Sequence, residues 1–532
     1  MLADIAVIGG GSVGVSFLAQ LVSCLRQQER VVGKPITVLL FEPRSRPGAG
    51  NAYDEDLPTN LLNIPVRNMS AYADDKAHFQ RWLEAQPRSA RAHFDVGDFD
   101  SNSFLPRPLF GRYMENVYQE AVREGKASGI VIRHVEQRAI GAEKTENGAW
   151  RVLCGDGDCY ITSRVVLCNG NLASTTFPAL EGHSHYFNDP YPVRKLAEHI
   201  EPDATVGIIG SSLSAVDAIV ALKEAGHRGM VTCFSRNGRL PSVRSAQNRT
   251  TLSSKLTSKD VWNLAEANGG VLTLEHFFSL LASHVETLGG RLDMADVLGP
   301  NLPAREALDH EIEVSQRQER LWQVVCSASN DVIDLVWQLL SEEERRTYHQ
   351  TWRSLWMARR ATFPLQNALK LQRYFRQGTL NVSSGFNGCR YDETSRTFHI
   401  QLNGPAVAQA QLPMPDSLQV DYVVNATSFS LDPSSTQDDL VSQLLRSGYA
   451  SSDPFGGVRL DYATGCLMDV NGEVQSSISL LGSLAVGTYF WTLSMDVNAR
   501  LAHAQAQRIG TQLGQKAKAF GHIENFDMVS SK

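Results

Sequence analysis

The chain of 532 residues lacks several patterns that would place it in other classes of protein. No apolar run reaches the ~18 residues of a membrane-spanning helix. The net charge is −7 and no cluster of lysine and arginine stands out, so we expect no nucleic-acid partner. No basic segment precedes the first apolar run, which argues against a signal peptide. We therefore expect a cytoplasmic, globular protein with no membrane partner.

The residues that form metal sites and redox dithiols are present in the wrong spacing. None of the eight cysteines forms Cys-x-x-Cys, and the fourteen histidines show no His-x-x-x-His. The sequence therefore predicts no metal, no zinc knuckle and no thiol redox pair. The cysteine usage fits a reducing compartment, and no Ser-His-Asp arrangement can be named.

A glycine-rich turn near the N-terminus is the strongest signal. An apolar strand leads into Gly-x-Gly-x-x-Gly, and an apolar-periodic helix follows. Gly9 permits the turn and Gly14 allows helix and strand to pack closely. Gly11 leaves room for a pyrophosphate, and Ser12 and Val13 begin the helix whose free N–H groups would bind it. An ordinary glycine-rich strand–helix turn is the alternative.

The next strand, residues 36–41, ends at Glu42. A carboxylate there can accept hydrogen bonds from the ribose hydroxyls of an adenine dinucleotide. Glu42 lies 28 positions after Gly14 (42 − 14), against roughly 20 in the usual unit. The largely polar insert 26–34 accounts for the extra length.

Two further places are expected to contact this first dinucleotide. In the loop 60–65, Asn60 and Asn63 are candidates to hydrogen-bond the edge of a flavin ring, or they are ordinary turn asparagines. A buried strand then ends in Asn169 and Gly170, where the chain is expected to pass the dinucleotide again.

A second strand–turn–helix follows 201 residues after the first (210 − 9). Its looser pattern, Gly-x-Ser-x-x-Ala, begins at Gly210 and continues through Ser211, Ser212 and Leu213. The strand after it ends without an acidic residue. Ser235, Arg236 and Arg239 stand there instead, which suits the 2′-phosphate of NADPH. A solvated basic turn is the alternative.

Residues 250–365 are expected to be mostly helical. Ser341 and Glu344 have the spacing of a capping box. An aromatic and basic stripe follows, which we interpret either as a substrate lid or as core packing beside a solvated face. Its members are Trp352, Arg353, Trp356, Arg359 and Arg360.

The expected fold class is α/β, with two Rossmann-like dinucleotide-binding domains, one for FAD and one for NADPH, and a helical insertion. Residues 1–200 form the first part of the FAD domain and 428–532 its C-terminal part. Residues 201–427 form the NADPH domain, with the insertion at about 250–365. A final helix is predicted from about Asp496 to Gln512, where its N-terminus would favour a reduced, anionic flavin.

These motifs resemble the two-domain FAD/NAD(P)H flavoproteins. The closest similarity is to the flavin-dependent monooxygenases that N-hydroxylate amino acids and diamines, and to related FAD-NAD(P)-binding proteins. The stretches 48–53 and 60–65, the late strand that ends in Ala426 and Thr427, and a shortened linker motif near His185 carry the resemblance. It spans most of the chain except the insertion.

The resemblance implies FAD at Gly9, Gly11, Gly14 and Glu42, and NADPH at the second turn. It implies hydride transfer from NADPH to flavin and a C4a-hydroperoxide that passes oxygen to a small nucleophilic substrate, most simply an amine. The partners would be this substrate and molecular oxygen. His185 is the only candidate for a catalytic side chain, and a structural role in the linker is the alternative.

This sequence departs from the family at two turns. The family's Ala-Thr-Gly reads Ala426-Thr427-Ser428, and Gly487-Thr488 stands in a similar place to the missing Gly-Asp motif. Two other functions therefore stay open: an FAD/NAD(P)H reductase or dehydrogenase with a non-oxygen acceptor, and a flavin-binding protein without turnover. The sequence leaves the oligomeric state open, a homo-oligomer included, and does not distinguish nitrogen, sulfur or carbon as the oxidised atom.

Overall fold

The computed structural model describes residues 2–27, 35–248, 256–403 and 417–529, with side chains as far as residue 514. The polar insert 26–34, invoked above for the long spacing to Glu42, lies mostly outside the described residues. Among the described helices, none is long and apolar enough to cross a membrane. The chain divides into two compact units. Unit 1 comprises residues 1–55, 64–172 and 431–532, and unit 2 comprises residues 56–63 and 173–430.

Eighteen strands are described, and they form four sheets. The strands are β1 (Leu2–Ala3), β2 (Ile5–Ile8), β3 (Ile36–Phe41), β4 (Ile130–Val135), β5 (Ala139–Lys144), β6 (Trp150–Cys154), β7 (Cys159–Thr162), β8 (Val165–Leu167), β9 (Tyr186–Phe187), β10 (Val206–Ile209), β11 (Val231–Phe234), β12 (Leu380–Ser383), β13 (Phe386–Asp392), β14 (Thr397–Leu402), β15 (Ser417–Val420), β16 (Tyr422–Asn425), β17 (Cys466–Met468) and β18 (Val474–Leu480).

Eighteen helices are described, and nine of them lie within residues 258–376. They are α1 (Ser12–Gln27), α2 (His78–Ala85), α3 (Arg88–Ala92), α4 (Arg107–Ala127), α5 (Arg194–His199), α6 (Leu213–Glu224), α7 (Ser258–Ala267), α8 (Leu274–Thr287), α9 (Met294–Leu298), α10 (Ala304–Arg317), α11 (Leu321–Ala328), α12 (Ile333–Leu339), α13 (Glu342–Thr347), α14 (Arg353–Arg360), α15 (Leu365–Arg376), α16 (Asp439–Arg446), α17 (Val486–Tyr489) and α18 (Met495–Val529).

Unit 1 is built on a six-stranded sheet in the order β17-β18-β8-β2-β3-β4, and only β17 runs antiparallel to its neighbour. Its central strands are buried along their whole length, as expected when helices cover both faces of a parallel sheet. Helix α1 packs along α18, where the Gln20 amide donates to the Ala499 carbonyl at 2.9 Å. A second sheet, β1-β7-β6-β5, completes the unit.

Unit 2 contains a five-stranded, all-parallel sheet in the order β12-β11-β10-β16-β9, and a three-stranded antiparallel sheet, β13-β14-β15. Strand β9 pairs with β16, and residues 173–200 belong to this unit. The sequence predicts them in the FAD domain instead. The mixed α/β fold with two parallel sheets confirms the predicted fold class.

The helical insertion is held by a buried ion cluster. The Glu311 carboxylate accepts hydrogen bonds from Arg320 at 2.6 Å and from Arg359 at 2.8 Å. Burial raises the pKa of Glu311, but the two guanidinium groups outweigh it and lower that pKa to about 2. The same carboxylate accepts from the Ser242 hydroxyl and the Val243 N–H, so the cluster ties the insertion to the chain that follows β11.

Two local predictions differ from the structure. Ser341 accepts from the Glu344 N–H, but the Glu344 carboxylate accepts from the Leu274 N–H, so the capping box is only half formed. The last helix continues to Val529 rather than ending near Gln512, since no proline interrupts that stretch.

Ser428 adopts a backbone conformation that normally requires glycine. Its φ is +112°, in the turn that follows β16. A Cβ atom in this region costs of order 1–3 kcal/mol. This turn is therefore strained at Ser428, the position where the resemblance described above implies glycine.

We expect Ser428→Gly to stabilise unit 2 by about 1 kcal/mol, because the strain released exceeds the entropy that glycine adds to the unfolded chain. Thermal unfolding followed by circular dichroism measures the change. Ser428→Ala keeps the Cβ atom and is the matched control, with an unchanged melting temperature. A glycine variant that melts no higher than the alanine variant would show that the turn is not strained.

Candidate dinucleotide sites

The first glycine turn is fixed by backbone contacts within unit 1. Gly9 has φ +105°, and a Cβ atom there would lie 2.1 Å from the Cys168 carbonyl oxygen. A Cβ atom on Gly14 would lie 2.0 Å from the Gly9 oxygen. These two glycines therefore allow β2, α1 and the end of β8 to lie close together.

Gly11 faces a second glycine-rich segment. A Cβ atom on Gly11 would lie 3.3 Å from the Gly50 Cα, so the room at this position is small and would be filled by a side chain. The Gly48 N–H donates to the Gly10 carbonyl at 2.7 Å. The loop 48–53 is therefore held against the glycine turn.

Glu42 occupies the position expected for a ribose acceptor. Its carboxylate is about 9% exposed and accepts from the Gly10 N–H at 3.0 Å and from the Arg44 N–H at 3.1 Å. Each carboxylate oxygen has a second lone pair. The carboxylate is thus oriented by the protein and retains the capacity to accept from ribose hydroxyls.

Asn169 and Gly170 lie at the carboxyl end of β8. The Asn169 Nδ2 atom is buried and has no hydrogen-bond partner among the residues that the structure describes. No atom lies within 4 Å of the position that a Gly170 Cβ would take. An open backbone next to an unpaired buried donor suits a ligand with acceptor groups, such as a dinucleotide.

The C-terminal part of unit 1 reaches this place through a residue that the sequence analysis missed. Ser483 is the third residue after β18, and its hydroxyl donates to the Gly170 carbonyl at 2.9 Å. Gly487 instead packs on Asp453, whose Cγ would lie 2.3 Å from a Gly487 Cβ, and Thr488 accepts from the Leu460 N–H. The role of Gly487 and Thr488 at a flavin site stays a prediction.

The predicted flavin contacts Asn60 and Asn63 belong to unit 2. Asn60 is buried and donates to Asp56 at 2.9 Å, while its Oδ1 atom has no partner within the described chain. The Asn63 carbonyl accepts from Arg244 at 3.4 Å. Their hydrogen bonds to a flavin ring stay a prediction.

The second glycine turn repeats the backbone contact of the first within unit 2. Gly210 has φ +117°, and its Cβ would lie 2.5 Å from the Ala426 carbonyl oxygen, as that of Gly9 meets Cys168. Ser212 precedes the first residue of α6, Leu213, and is exposed. The Ser212 hydroxyl caps no backbone N–H, so the helix N-terminus is open to an anion.

The end of β11 carries hydroxyl and guanidinium groups. The Ser211 hydroxyl donates to the Arg239 carbonyl at 2.6 Å and lies 2.9 Å from the Ser235 hydroxyl, which accepts from the Gly238 N–H. The side chains of Arg236 and Arg239 are exposed. Neither guanidinium forms an ion pair or hydrogen bond with any residue in the described ranges, so both positive charges are uncompensated there.

Asn425 and Thr427, which flank Ala426, lie where β16 ends at this edge of the sheet. The Asn425 amide donates to Ser174 and Asn188, and its oxygen accepts from the Thr427 hydroxyl at 2.6 Å. This network satisfies the buried Asn425 amide and holds the Ala426 carbonyl that contacts Gly210.

His185 lies at the other end of the strands of this sheet, where β16 begins. Its ring stacks on Tyr422 at 4.2 Å, and its carbonyl accepts from Val423. The register places His185 level with the first residue of β16, ~10 Å along the strand from Asn425. Dinucleotides bind beyond the carboxyl ends of parallel strands, so this location favours the structural role over the catalytic one.

No reactive thiol accompanies either turn. Burial raises the pKa of the Cys168 thiol, beside Gly9, and raises that of Cys233, in β11, to about 12. Both stay protonated at neutral pH. Within the described part of the chain, no group of side chains could hold a metal ion.

Comparisons with known proteins agree with this geometry. Residues 6–172 match the model of a family described as FAD-NAD(P)-binding. These residues form an FAD-NAD(P)-binding domain. The chain is also 25% identical over 232 residues to the uncharacterised protein YdhS of Escherichia coli, and that match covers 41% of this chain and 39% of the relative. It thus spans about two fifths of that protein.

Three solved structures share the fold over almost the whole chain. The ornithine N-hydroxylase of Kutzneria sp. 744, with reduced FAD, NADP⁺ and L-ornithine, has a TM-score of 0.55 at 12% identity, over 97% of this chain and 100% of its own. The Pseudomonas aeruginosa ornithine hydroxylase PvdA scores 0.56 at 13% identity, and L-lysine 6-monooxygenase of Pseudomonas syringae scores 0.55 at 14%. Each match covers 97% of this chain and 99% of the other. At such identities the likeness establishes the fold, which is that of FAD/NAD(P)-binding flavoproteins.

We expect Gly11→Ala to weaken FAD binding by about tenfold or more, because a methyl group would occupy the room needed for close approach of the pyrophosphate. Titration of the flavin-free protein with FAD gives the Kd. Gly97→Ala is the matched control, because that glycine has an open Cβ position and ordinary φ in the same unit. Equal Kd values for the two variants and the wild type would remove Gly11 from the site.

Proposed function

We propose that this chain is an FAD-dependent oxidoreductase that uses NADPH and acts as a monooxygenase on a small amine. The observation that carries the proposal is the repeated glycine turn with opposite chemistry at the end of the following strand. Unit 1 presents the Glu42 carboxylate there, whereas unit 2 presents the uncompensated guanidinium groups of Arg236 and Arg239.

The opposite charges support different dinucleotides for the two units. A carboxylate accepts hydrogen bonds from ribose hydroxyls and repels a 2′-phosphate, which favours FAD in unit 1. Guanidinium groups attract the 2′-phosphate of NADPH, and Ser235 adds a hydroxyl donor or acceptor beside them. FAD would be held by Gly9, Gly11, Gly14, Glu42 and the Asn169 amide. NADPH would be held by Gly210, Ser212, Ser235 and the two arginines.

Bound FAD would supply the two-electron chemistry that connects a nicotinamide to molecular oxygen. The chain itself contributes binding and orientation. The first-turn N–H groups of α1 would neutralise the pyrophosphate, and the buried Glu42 would fix the ribose. Burial raises the pKa of the Cys168 and Cys233 thiols, so neither is suited to act in a thiol–disulfide pair.

The amine substrate is supported by the structural neighbours, which are hydroxylases of L-ornithine and L-lysine. The overall reaction would consume NADPH, a proton and dioxygen. One oxygen atom would be inserted into an N–H bond to give a hydroxylamine, and the other would leave as water. The hydride of NADPH supplies the two electrons that this balance requires.

The test is transfer of labelled oxygen to an amine. The flavin-loaded protein is incubated with NADPH, ¹⁸O₂ and L-ornithine, L-lysine or a diamine, and the products are analysed by mass spectrometry. We expect NADPH-dependent formation of a hydroxylamine that carries one ¹⁸O atom. NADPH oxidation without labelled product from any amine would favour a reductase with another acceptor. A sample without NADPH is the control.

A further inference from the structure

The aromatic and basic stripe of the insertion separates into a buried half and an exposed half. Trp356, on α14, packs against Phe277 and Phe278 with ring centroids about 6 Å apart. Arg359 lies in the buried ion cluster with Glu311. These members of the stripe are therefore core residues, and the lid interpretation does not apply to them.

Trp352 and Arg353 form the exposed half. They stand where a π-helical turn, Tyr348–Trp352, meets α14. Trp352 is 40% exposed, so a large part of its indole faces solvent. Arg353 is also exposed and forms no ion pair with any carboxylate in the ranges that the structure describes. An exposed indole and an uncompensated charge are thus neighbours on one turn.

This turn borders the basic end of β11 in the same unit. The Asn237 amide, between Arg236 and Arg239, donates to the Ser354 hydroxyl at 3.4 Å. Since Ser354 directly follows Arg353, the Cα atoms of Trp352 and Arg353 lie within ~6 Å of the Ser354 Cα. A tryptophan or arginine side chain is long enough to reach from either Cα to the neighbourhood of Ser354.

The turn is anchored on both sides rather than loosely exposed. On one side, Tyr348 and His349 pack against Trp337, with ring centroids 5.7 Å apart in both pairs. On the other side, the Ser242 N–H donates to the Ala358 carbonyl at 2.8 Å, and Glu311 holds the Ser242 hydroxyl. The exposed pair is therefore held at a fixed place next to Ser354, whose hydroxyl accepts from Asn237 between Arg236 and Arg239. Short π-helical turns in α-helices are frequently found at functional sites.

We propose that the helical insertion completes the NADPH site of unit 2: Arg353 is a third guanidinium for the 2′-phosphate, and Trp352 is the surface on which the adenine stacks. This inference rests on the proposed NADPH site. It gives the insertion a role in cofactor selection, and it explains why a large indole is left exposed next to an uncompensated charge.

Calorimetric titration of the FAD-loaded protein with 2′,5′-ADP and with 5′-AMP separates the two roles. Arg353→Ala should weaken 2′,5′-ADP about five- to tenfold and leave 5′-AMP unchanged, because only the former has the 2′-phosphate. Trp352→Ala should weaken both ligands about five- to tenfold, and Trp352→Phe should restore most of the affinity. Arg236→Ala is the reference variant and should behave like Arg353→Ala.

Matched controls come from the same insertion. Trp262 is 47% exposed on α7, and Arg346 is exposed on α13, where it pairs with Glu342. Trp262→Ala and Arg346→Ala should bind both ligands like the wild type. Wild-type affinity in Trp352→Ala and Arg353→Ala, with weakened binding in Arg236→Ala, would overturn this inference alone. A wild-type protein that binds neither ligand would overturn the NADPH site as well. Flavin content and circular dichroism confirm that each variant is folded.

Discussion

The close approach of the Gly9 and Cys168 backbones is the constraint on which unit 1 depends. A Cβ atom at Gly9 would lie 2.1 Å from the Cys168 oxygen, and one at Gly14 would lie 2.0 Å from the Gly9 oxygen. Neither contact can relax by a side-chain rotation, because the atoms that would be struck belong to the backbone. Strand β2 lies between β8 and β3 at this turn, α1 begins beside it, and the Glu42 carboxylate accepts from the Gly10 N–H.

Unit 2 uses the same solution with different residues. Gly210 approaches the Ala426 carbonyl as Gly9 approaches Cys168, but Ala215 replaces the last glycine and Ser212 the middle one. The backbone architecture is thus kept while the chemistry at the neighbouring strand end changes from a carboxylate to guanidinium groups. Because of this change, we propose that the two units bind two different dinucleotides rather than two copies of one. The buried Glu311 cluster connects the segment after β11 to the helical insertion.

Much of this could be predicted from the sequence because the signals are local. Each of these features lies within a short stretch of sequence: the strand–turn–helix at each glycine turn, the strand that ends at Glu42 and the basic end of β11. The remainder depends on contacts between distant residues. The local sequence does not predict which distant residues form hydrogen bonds. Examples are the bonds from Gly48 to the Gly10 carbonyl, from Ser483 to the Gly170 carbonyl and from Leu274 to the Glu344 carboxylate. Likewise, the pairing of β9 with β16, which moves residues 173–200 into unit 2, joins segments more than two hundred residues apart.

The most direct measurement of the central claim follows the visible absorbance of the flavin-loaded protein under anaerobic conditions while NADPH or NADH is added. If FAD occupies unit 1 and NADPH occupies unit 2, stoichiometric NADPH should bleach the flavin band, and NADH should do so much more slowly because it lacks the 2′-phosphate that Arg236 and Arg239 attract. Equal rates with both nucleotides would contradict the role of the guanidinium groups. A band that neither nucleotide bleaches would contradict the two-dinucleotide account itself.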